Sequence, residues 1–171
     1  HRVVKFLRRK GKDYTTGENW TQMHRTWLNN VVLANPYDQE AFESLRFSVD
    51  SLEKRVLQLD RRIREIAESP SYLKMVSYVR SFRGIDTLSA MVLVTEIGDL
   101  RRFKSPRALM AYLGLVPGVN SSGESKRAGQ SITKAGNAFC RHVLVQAAWS
   151  NTKRPVLSKA LKARQNGLPD W

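Results

Sequence analysis

The sequence has little cysteine and little histidine. Its single thiol, Cys140, cannot form an internal disulfide or a cysteine-based zinc site, and one unpaired cysteine fits a reducing compartment. Only three histidines are present, and only His142 lies near the serine-rich segment described below. Because no nucleophile-elbow pattern is present either, a Ser-His-Asp hydrolase triad is not expected.

Long apolar runs are also absent. No segment approaches the roughly 18 apolar residues that a membrane-spanning helix requires, and the N-terminal HRVVKFLRRKGKDY lacks the apolar core of a signal peptide. We therefore expect a soluble, cytoplasmic protein with no membrane partner. The chain begins without methionine and ends at Trp171, and we expect it to be part of a longer protein.

Acidic residues are few compared with basic ones. The sequence has 15 Asp and Glu against 29 Lys and Arg, a formal net charge of +14. This excess indicates a polyanionic partner, nucleic acid in preference to a membrane, and a solvated basic surface is the alternative. Residues 1–19 hold part of this charge, and Gly11 and Gly17 interrupt any helix there. That segment is predicted to be either an electrostatic contact arm or a frayed terminus.

Helical periodicity is present through most of the chain, without a clear strand pattern, so the sequence predicts an all-α fold. A short helix is predicted from Trp20 to about Asn35, with Met23, Trp27 and Leu28 on its apolar face. The next helix, with Asp38 as its predicted N-cap, carries a strict heptad and ends at Ser69-Pro70. Its core positions are Phe42, Leu45, Val49, Leu52, Val56, Leu59, Ile63 and Ile66.

This heptad predicts a coiled-coil dimerisation helix about 45 Å long. The pattern of β-branched residues and leucines favours a parallel dimer, and an antiparallel hairpin with the Trp27 helix is the alternative. The predicted domains are a basic arm and short helix at 1–36, the coiled coil at 37–69 and a compact helical domain at 70–171.

Two short helices are predicted at the start of the compact domain. They flank the turn Arg83-Gly84-Ile85-Asp86, and Thr87 is the predicted cap of the second helix. The arrangement resembles a helix-hairpin-helix, which offers backbone N–H groups to phosphates. Asp86 replaces the usual second glycine and disfavours phosphate, so packing is the alternative role of this turn.

Two further helices flank a polar segment. Ser105 and Pro106 begin the first, and Gly114 ends it. Asn137 is the predicted cap of the second, whose predicted core residues are Phe139, Val143, Leu144, Ala147 and Trp149. Arg141 lies in an early turn of this helix and is expected to point back toward the polar segment.

The polar segment, VNSSGESKRAGQSITKAGN (119–137), combines small residues with cations. Small residues let the backbone approach a ligand, and cations suit phosphate. We predict a phosphodiester-handling loop with Ser122 as candidate nucleophile; turn-forming serines are the alternative. The predicted DNA- or phosphate-binding residues are Ser121, Gly123, Lys126, Arg127, Lys134 and Arg141.

Carboxylates offer no complete metal site in the sequence. Glu96 and Asp99 lie three residues apart, but two carboxylates alone hold Mg²⁺ poorly. We therefore predict neither a metal site nor a bound cofactor in this chain.

Several ordered blocks carry a resemblance to a known family: Phe82–Ile85, Glu96–Asp99, LRRF at 100–103, LMAYLGLVP at 109–117, Ser121–Gly123, ITKAGN at 132–137 and Arg141. Together they resemble the C-terminal transposase domain of the insertion-sequence 110 family. That family includes the bridge-RNA-guided serine recombinases and the Piv-type DNA invertases, and the heptad helix resembles the family's coiled-coil dimerisation region.

The resemblance implies that the serine before glycine, Ser122, forms a covalent phosphoserine link to cleaved DNA. It also implies a guide RNA, a homodimer or tetramer, and a bacterial or archaeal nucleoid-associated location. Family enzymes bind Mg²⁺ through an upstream ribonuclease-H-like acidic domain, which is absent from this sequence. We therefore expect a DNA-binding transposase or recombinase fragment that is inactive alone. The alternatives are a non-catalytic basic nucleic-acid-binding and dimerisation module and a structural coiled-coil adaptor.

Overall fold

A computed structural model describes residues 2–118, 121–122, 125–126, 131–154 and 156–168. The all-α prediction is confirmed. The helices in the described residues are α1 (Arg2–Arg9), α2 (Gln22–Asn29), α3 (Pro36–Ala67), α4 (Leu73–Arg80), α5 (Thr87–Ile97), α6 (Pro106–Tyr112), α7 (Ala138–Trp149) and α8 (Lys159–Gln165). Short 3₁₀ turns span Leu100–Arg102 and Ser150–Thr152, and two strands, β1 (Ser121–Ser122) and β2 (Ser125–Lys126), complete the secondary structure. Within the part of the chain described here, none of the helices could cross a membrane.

The chain divides into two compact units, His1–Leu59 and Asp60–Trp171. The core of the first unit contains the buried residues Val3, Leu7, Leu28, Val31, Leu33 and Phe42. Residues 2–9 are therefore a packed amphipathic helix and not a frayed terminus, and an electrostatic contact by their exposed basic residues stays a prediction. The sequence reading missed this packing because the basic residues outnumber the two apolar residues that the helix buries.

The second helix differs in phase from its prediction. The buried residues of α2 are His24 and Leu28, while Met23 is exposed. The backbone N–H of Trp20, which has a φ of 70°, donates to His24 Nδ1 at 3.0 Å. Burial, with a smaller effect from Arg25, lowers the pKa of His24. The buried face of α2 therefore contains the hydrogen-bonded His24, where apolar periodicity predicted Met23.

The long helix α3 begins two residues before its predicted cap. Asn35 Oδ1 accepts the N–H of Tyr37 at 2.9 Å, and Pro36 occupies the first helical position. Asp38 is not the N-cap; it lies in the first turn and forms an ion pair with Lys10 at 2.8 Å.

The heptad stripe of α3 is covered at both ends by the chain itself. Phe42, Leu45 and Val49 pack in the core of the first unit, and Ile63 and Ile66 pack against the core of the second. The middle of the stripe is open: Leu52, Val56 and Leu59 are 66%, 55% and 44% exposed. The surface left for a partner helix is thus shorter than the heptad alone predicts.

The core of the second unit lies between α4, α5 and α7. Its buried residues are Ala67, Val76, Ile85, Ala90, Met91, Leu93, Ile97, Leu113, Cys140, Val143 and Ala147. Phe139 and Trp149, predicted to be core residues of α7, are exposed instead. Cys140 takes the core position, and burial followed by the nearby Glu96 carboxylate raises the pKa of its thiol.

The turn between α4 and α5 is engaged by neighbouring parts of the second unit. A Cβ on Gly84 would overlap the backbone of Ala147, so α7 lies directly against this glycine. Gln165 Nε2 and Arg164 Nη1 donate to the carbonyl oxygens of Ser81 and Ile85 at 3.0 and 3.1 Å.

The helix that follows this turn is capped by Asp86 and not by Thr87. Asp86 accepts the backbone N–H of Ser89 at 2.8 Å. The carboxylate that replaces the second glycine thus stabilises the start of α5.

Candidate functional site: a serine-bearing hairpin

Predicted local signals mark both ends of α6, the helix that precedes the serine segment. Ser105 accepts the N–H of Ala108 at 3.3 Å as N-cap, and Pro106 is the first helical residue. Gly114 has a φ of 68°, which a residue with a Cβ adopts only at a cost. Both predicted boundaries are confirmed, and the chain leaves the helix directly into the serine segment.

The described parts of this segment pair as antiparallel backbone, although the sequence predicted no strand. Thr133 N–H donates to the carbonyl oxygen of Val116 at 2.9 Å, and Gly118 N–H donates to that of Ser131 at 3.0 Å. Pro117 and Ile132 form the bridge between these two bonds. Residues 116–118 and 131–133 are therefore the lower part of a hairpin.

The candidate nucleophile lies in the short strand pair farther along the hairpin. The antiparallel register of β1 and β2 sets Ser121 opposite Lys126 and Ser122 opposite Ser125. Ser122 is thus the last residue of β1, and residues 123–124 connect it to β2. Gly123 and Arg127, both predicted site residues, lie outside the described residues.

The root of the hairpin is a close crossing of two backbone segments. A Cβ on Gly114 would overlap the backbone of Ala135, and a Cβ on Gly136, whose φ is 87°, would overlap the carbonyl of Tyr112. Because glycine has no Cβ, it allows the two backbone segments to come this close at both positions. Gly136 belongs to the segment whose small residues were predicted to let backbone approach a ligand, and its close contact in the structure is with the backbone of Tyr112.

Arg141 joins the two sides of this root. Its Nη1 donates to the carbonyl oxygen of Leu113 at 2.9 Å and to that of Ala135 at 3.4 Å. The side chain is half-buried and extends from the second turn of α7 toward the hairpin, as its position in the sequence suggested. Its phosphate-binding role stays a prediction, while its contacts are with backbone.

The predicted Asn137 cap is confirmed, and its second contact adds a link to α5. Asn137 Oδ1 accepts the N–H groups of Phe139 and Cys140 at 2.9 and 3.0 Å. Its Nδ2 donates to Glu96 Oε2 at 2.6 Å. One asparagine therefore begins α7 and ties the exit of the hairpin to the end of α5.

Lys134 is the described cation closest in sequence to this exit. Its φ of 56° places it in the left-handed region, which is uncommon for a residue with a side chain. Its N–H donates to the carbonyl oxygen of Gly114 at 3.1 Å, and the residue is exposed. The backbone bond holds a cation at the surface of the root.

A further cation, absent from the predicted site, lies next to the root. The guanidinium carbon of Arg102 is 4.6 Å from the ring centroid of Phe103 and 4.6 Å from that of Tyr112. Tyr112 also supplies the carbonyl that crosses Gly136. The ten-residue separation of Arg102 and Tyr112 spans a turn and a helix, so no sequence periodicity points to this stack.

The carboxylates considered from the sequence as metal ligands make local contacts in the described residues. Among them, no three His, Cys, Asp or Glu side chains lie together as ligands. Glu96 accepts from Asn137, and Asp99 is engaged by both the backbone and the guanidinium of Arg101. The two carboxylates considered from sequence are thus each committed to a local structural contact.

The fold and the candidate site define a basic, all-α protein in which a serine-bearing hairpin is rooted on a packed helical unit. The sequence profile of the IS116/IS110/IS902 transposase family matches residues 76–162, which include α5, the hairpin and α7. The chain belongs to this transposase family.

Individual relatives agree with this assignment. The "Putative transposase y4qE" of Sinorhizobium fredii is 37% identical over 158 residues, covering 92% of this chain and 37% of the relative. The transposase for insertion sequence element IS1533 of Leptospira borgpetersenii is 32% identical over 169 residues, covering 98% of this chain and 49% of the relative. The chain thus spans 37% to 49% of the length of these two relatives.

Proposed function

We propose that this chain is the DNA-binding, serine-bearing portion of a transposase that cuts and rejoins DNA through a covalent phosphoserine at Ser122. The observation that carries the proposal is the position of Ser122, which ends β1 of a hairpin whose root is fixed at several points. A nucleophile acting on a phosphodiester needs a defined approach, and a rooted hairpin restricts the positions of its backbone. Membership of a transposase family supplies the reaction class.

The cations of the hairpin have a separate role in this proposal. Lys126, Arg127 and Lys134 neutralise the non-bridging phosphate oxygens, whose negative charge repels an incoming nucleophile. Lys134 is exposed at the root, which supports this role. Ser121 and Gly123, which flank Ser122 in sequence, contact the same phosphodiester through their backbone.

The chemistry requires one group beyond those described. Attack by the Ser122 oxygen on phosphorus forms a Ser–O–P bond and breaks a P–O bond to one deoxyribose oxygen, which leaves as a hydroxyl once protonated. The serine proton needs an acceptor, and the two described carboxylates considered from the sequence, Glu96 and Asp99, are engaged with Asn137 and Arg101. Glu124, two residues after Ser122, lies outside the described residues. We therefore infer that a separate acidic domain supplies the acceptor and binds Mg²⁺, and that the isolated chain binds DNA without recombining it.

The proposal also includes partners. The open middle of the α3 stripe supports a homodimer through that helix, with a tetramer as the larger assembly. The charge excess supports a guide RNA in addition to DNA, because both are polyanions. A transposase of this kind acts on chromosomal DNA in the cytoplasm of a bacterium or archaeon.

The test is substitution of the serines one at a time in a transposase that contains these residues together with the acidic domain. Ser122→Ala is expected to abolish both strand cleavage and the protein–DNA adduct that survives denaturing electrophoresis. Ser121→Ala and Ser125→Ala are matched controls from the same strand pair and should retain the adduct.

Survival of the adduct in Ser122→Ala would exclude this serine as the nucleophile. The chain would then be a basic nucleic-acid-binding and dimerisation module in which Ser122 is a turn residue.

A further inference from the structure

Two neighbouring arginines before α6 have different surroundings. The guanidinium of Arg101 donates two hydrogen bonds to the carboxylate of Asp99, from Nε to Oδ1 at 3.0 Å and from Nη2 to Oδ2 at 3.0 Å. The hydrogen bonds between the two side chains lower the pKa of Asp99 and raise that of Arg101. The charge of Arg101 is therefore largely matched by its neighbour.

Arg102 has no carboxylate within ion-pair distance among the described residues, and it acts on Asp99 only through a smaller, longer-range attraction that helps to lower the pKa of that carboxyl. Its guanidinium instead lies over two aromatic rings, at 4.6 Å from each centroid, and the rings of Phe103 and Tyr112 are 5.3 Å apart. Such cation–π contacts contribute about 0.5–1 kcal/mol each at exposed sites. They hold the group in one place while the residue as a whole stays exposed.

Within the described residues the Arg102 guanidinium contacts these two rings and donates no side-chain hydrogen bond. Its N–H groups can therefore donate to a phosphate, and the planar fork of arginine allows two parallel bonds. Because the side chain is already ordered by the rings, less conformational entropy is lost when an anion binds. Arg102 thus has the features of a preorganised phosphate ligand.

The stack adjoins the hairpin. Tyr112, which provides one of the two rings, is the last residue of α6, and its carbonyl crosses Gly136 at the root. The next residue, Leu113, provides the carbonyl that Arg141 binds. A phosphate bound by Arg102 would therefore belong to the nucleic-acid strand that the hairpin contacts.

We propose that Arg102 binds a backbone phosphate of the nucleic acid that contacts the serine hairpin. This inference rests on the proposed function and adds to it a phosphate ligand outside the hairpin. Arg101, one residue earlier, makes a smaller contribution because binding must first compete with Asp99. The phosphate belongs to DNA or to RNA, since both carry the same phosphodiester.

The experiment compares Arg102→Met with Arg101→Met in the chain, using fluorescence anisotropy. The probes are a labelled 30-base-pair DNA duplex and an RNA duplex of the same sequence, titrated between 50 and 200 mM salt. Methionine keeps an apolar stem for packing on the rings and removes the charge. Arg102→Met should weaken binding roughly tenfold and reduce the slope of log affinity against log salt by about 0.9 on B-DNA. Arg101→Met should change both by less than half as much.

Arg102→Lys gives a second comparison because it keeps the charge without the planar fork. It should retain the salt slope and lose part of the affinity. Circular dichroism and thermal unfolding check that each variant is folded. If Arg102→Met loses affinity for only one duplex, the phosphate belongs to that nucleic acid. If it loses affinity for both, Arg102 binds the phosphates of DNA and RNA alike.

Equal effects of Arg101→Met and Arg102→Met, or no effect of Arg102→Met, would overturn the inference while leaving the proposed function in place. If the unmodified chain shows no salt-dependent binding to either duplex, the proposed function itself fails, and this inference fails with it.

Discussion

Arg141 shows how a side chain assigned to a ligand can act first on its own backbone. Its Nη1 binds the carbonyls of Leu113 and Ala135, one on each side of the hairpin root. Leu113 is 2% exposed, so its carbonyl has little access to water as a substitute partner. Leaving a buried acceptor without a donor costs about 1–3 kcal/mol. We therefore expect Arg141 to position the hairpin, whether or not it also meets phosphate.

Substitution of Arg141 tests this role. Arg141→Ala should lower the free energy of unfolding by about 1–3 kcal/mol in urea titrations, because the buried carbonyl of Leu113 loses its donor, whereas the exposed Ala135 can bond to water. Hydrogen exchange should become faster at the amides of Gly118, Thr133 and Lys134, which pair the two sides of the hairpin.

The neighbouring residue His142 is exposed and supplies the matched control. His142→Ala should leave both the unfolding free energy and the exchange rates unchanged. Unchanged exchange in Arg141→Ala would show that the two carbonyl contacts do not hold the root.

Of the four N-caps predicted from local sequence, Ser105 and Asn137 are confirmed, and Asp38 and Thr87 are wrong by one to three residues. Ser105 and Asn137 were identified as caps because an N-cap bonds to backbone two or three residues away. The carbonyl partners of Arg141 and the second ring under Arg102 could not be identified. These contacts join residues brought together by tertiary packing, for which a single sequence carries no periodic signal.

In α3, the surface available for dimerisation is shorter than its heptad pattern predicts. The heptad runs from Phe42 to Ile66, but the chain uses both ends of the stripe for its own two cores. Only the stretch with Leu52, Val56 and Leu59 stays open. A stripe this short buries little area, so we expect a dimer that depends strongly on each of these side chains.

Val56→Asp is the direct test of dimerisation through α3. Burying an unpaired carboxylate is costly, so the substitution should raise the dimer dissociation constant by at least about tenfold. Leu57→Asp is the matched control, because Leu57 is 69% exposed on the same helix but lies outside the heptad core positions.

Sedimentation velocity across a range of protein concentrations measures both variants against the unmodified chain. A monomer at all concentrations for the unmodified chain, or equal effects of the two substitutions, would contradict assembly through this stripe.

The hairpin is the element that sequence reasoning could not identify. Its strands β1 and β2 contain two residues each, all serine or lysine, and so show no apolar alternation. What holds the segment is the root, where Gly114 and Gly136 allow two backbones to cross. Phe139 and Trp149 were wrongly predicted to be core residues, because periodicity in a short apolar helix does not determine which face is buried.

At the scale of the whole molecule, charge is the dominant property. The chain carries 29 basic against 15 acidic residues. Several of the acids are engaged within the described residues, among them Glu53 with Arg25, Asp38 with Lys10 and Asp99 with Arg101. The remaining excess lies on a chain whose relatives are transposases, and it supports DNA as the polyanion.

This excess predicts how the isolated chain should respond to salt. Each phosphate neutralised by Lys or Arg releases condensed counterions, so the slope of log affinity against log salt is about −0.9 per phosphate contact on B-DNA. With about six contacts, the affinity for a DNA duplex should fall about a thousandfold between 50 and 200 mM salt. Ser122→Ala should leave this slope unchanged, because a hydroxyl carries no charge. Titrations of a labelled duplex at four or more salt concentrations measure it. A flat response would contradict DNA binding by this chain and would favour a structural coiled-coil adaptor, since an adaptor needs no phosphate contacts.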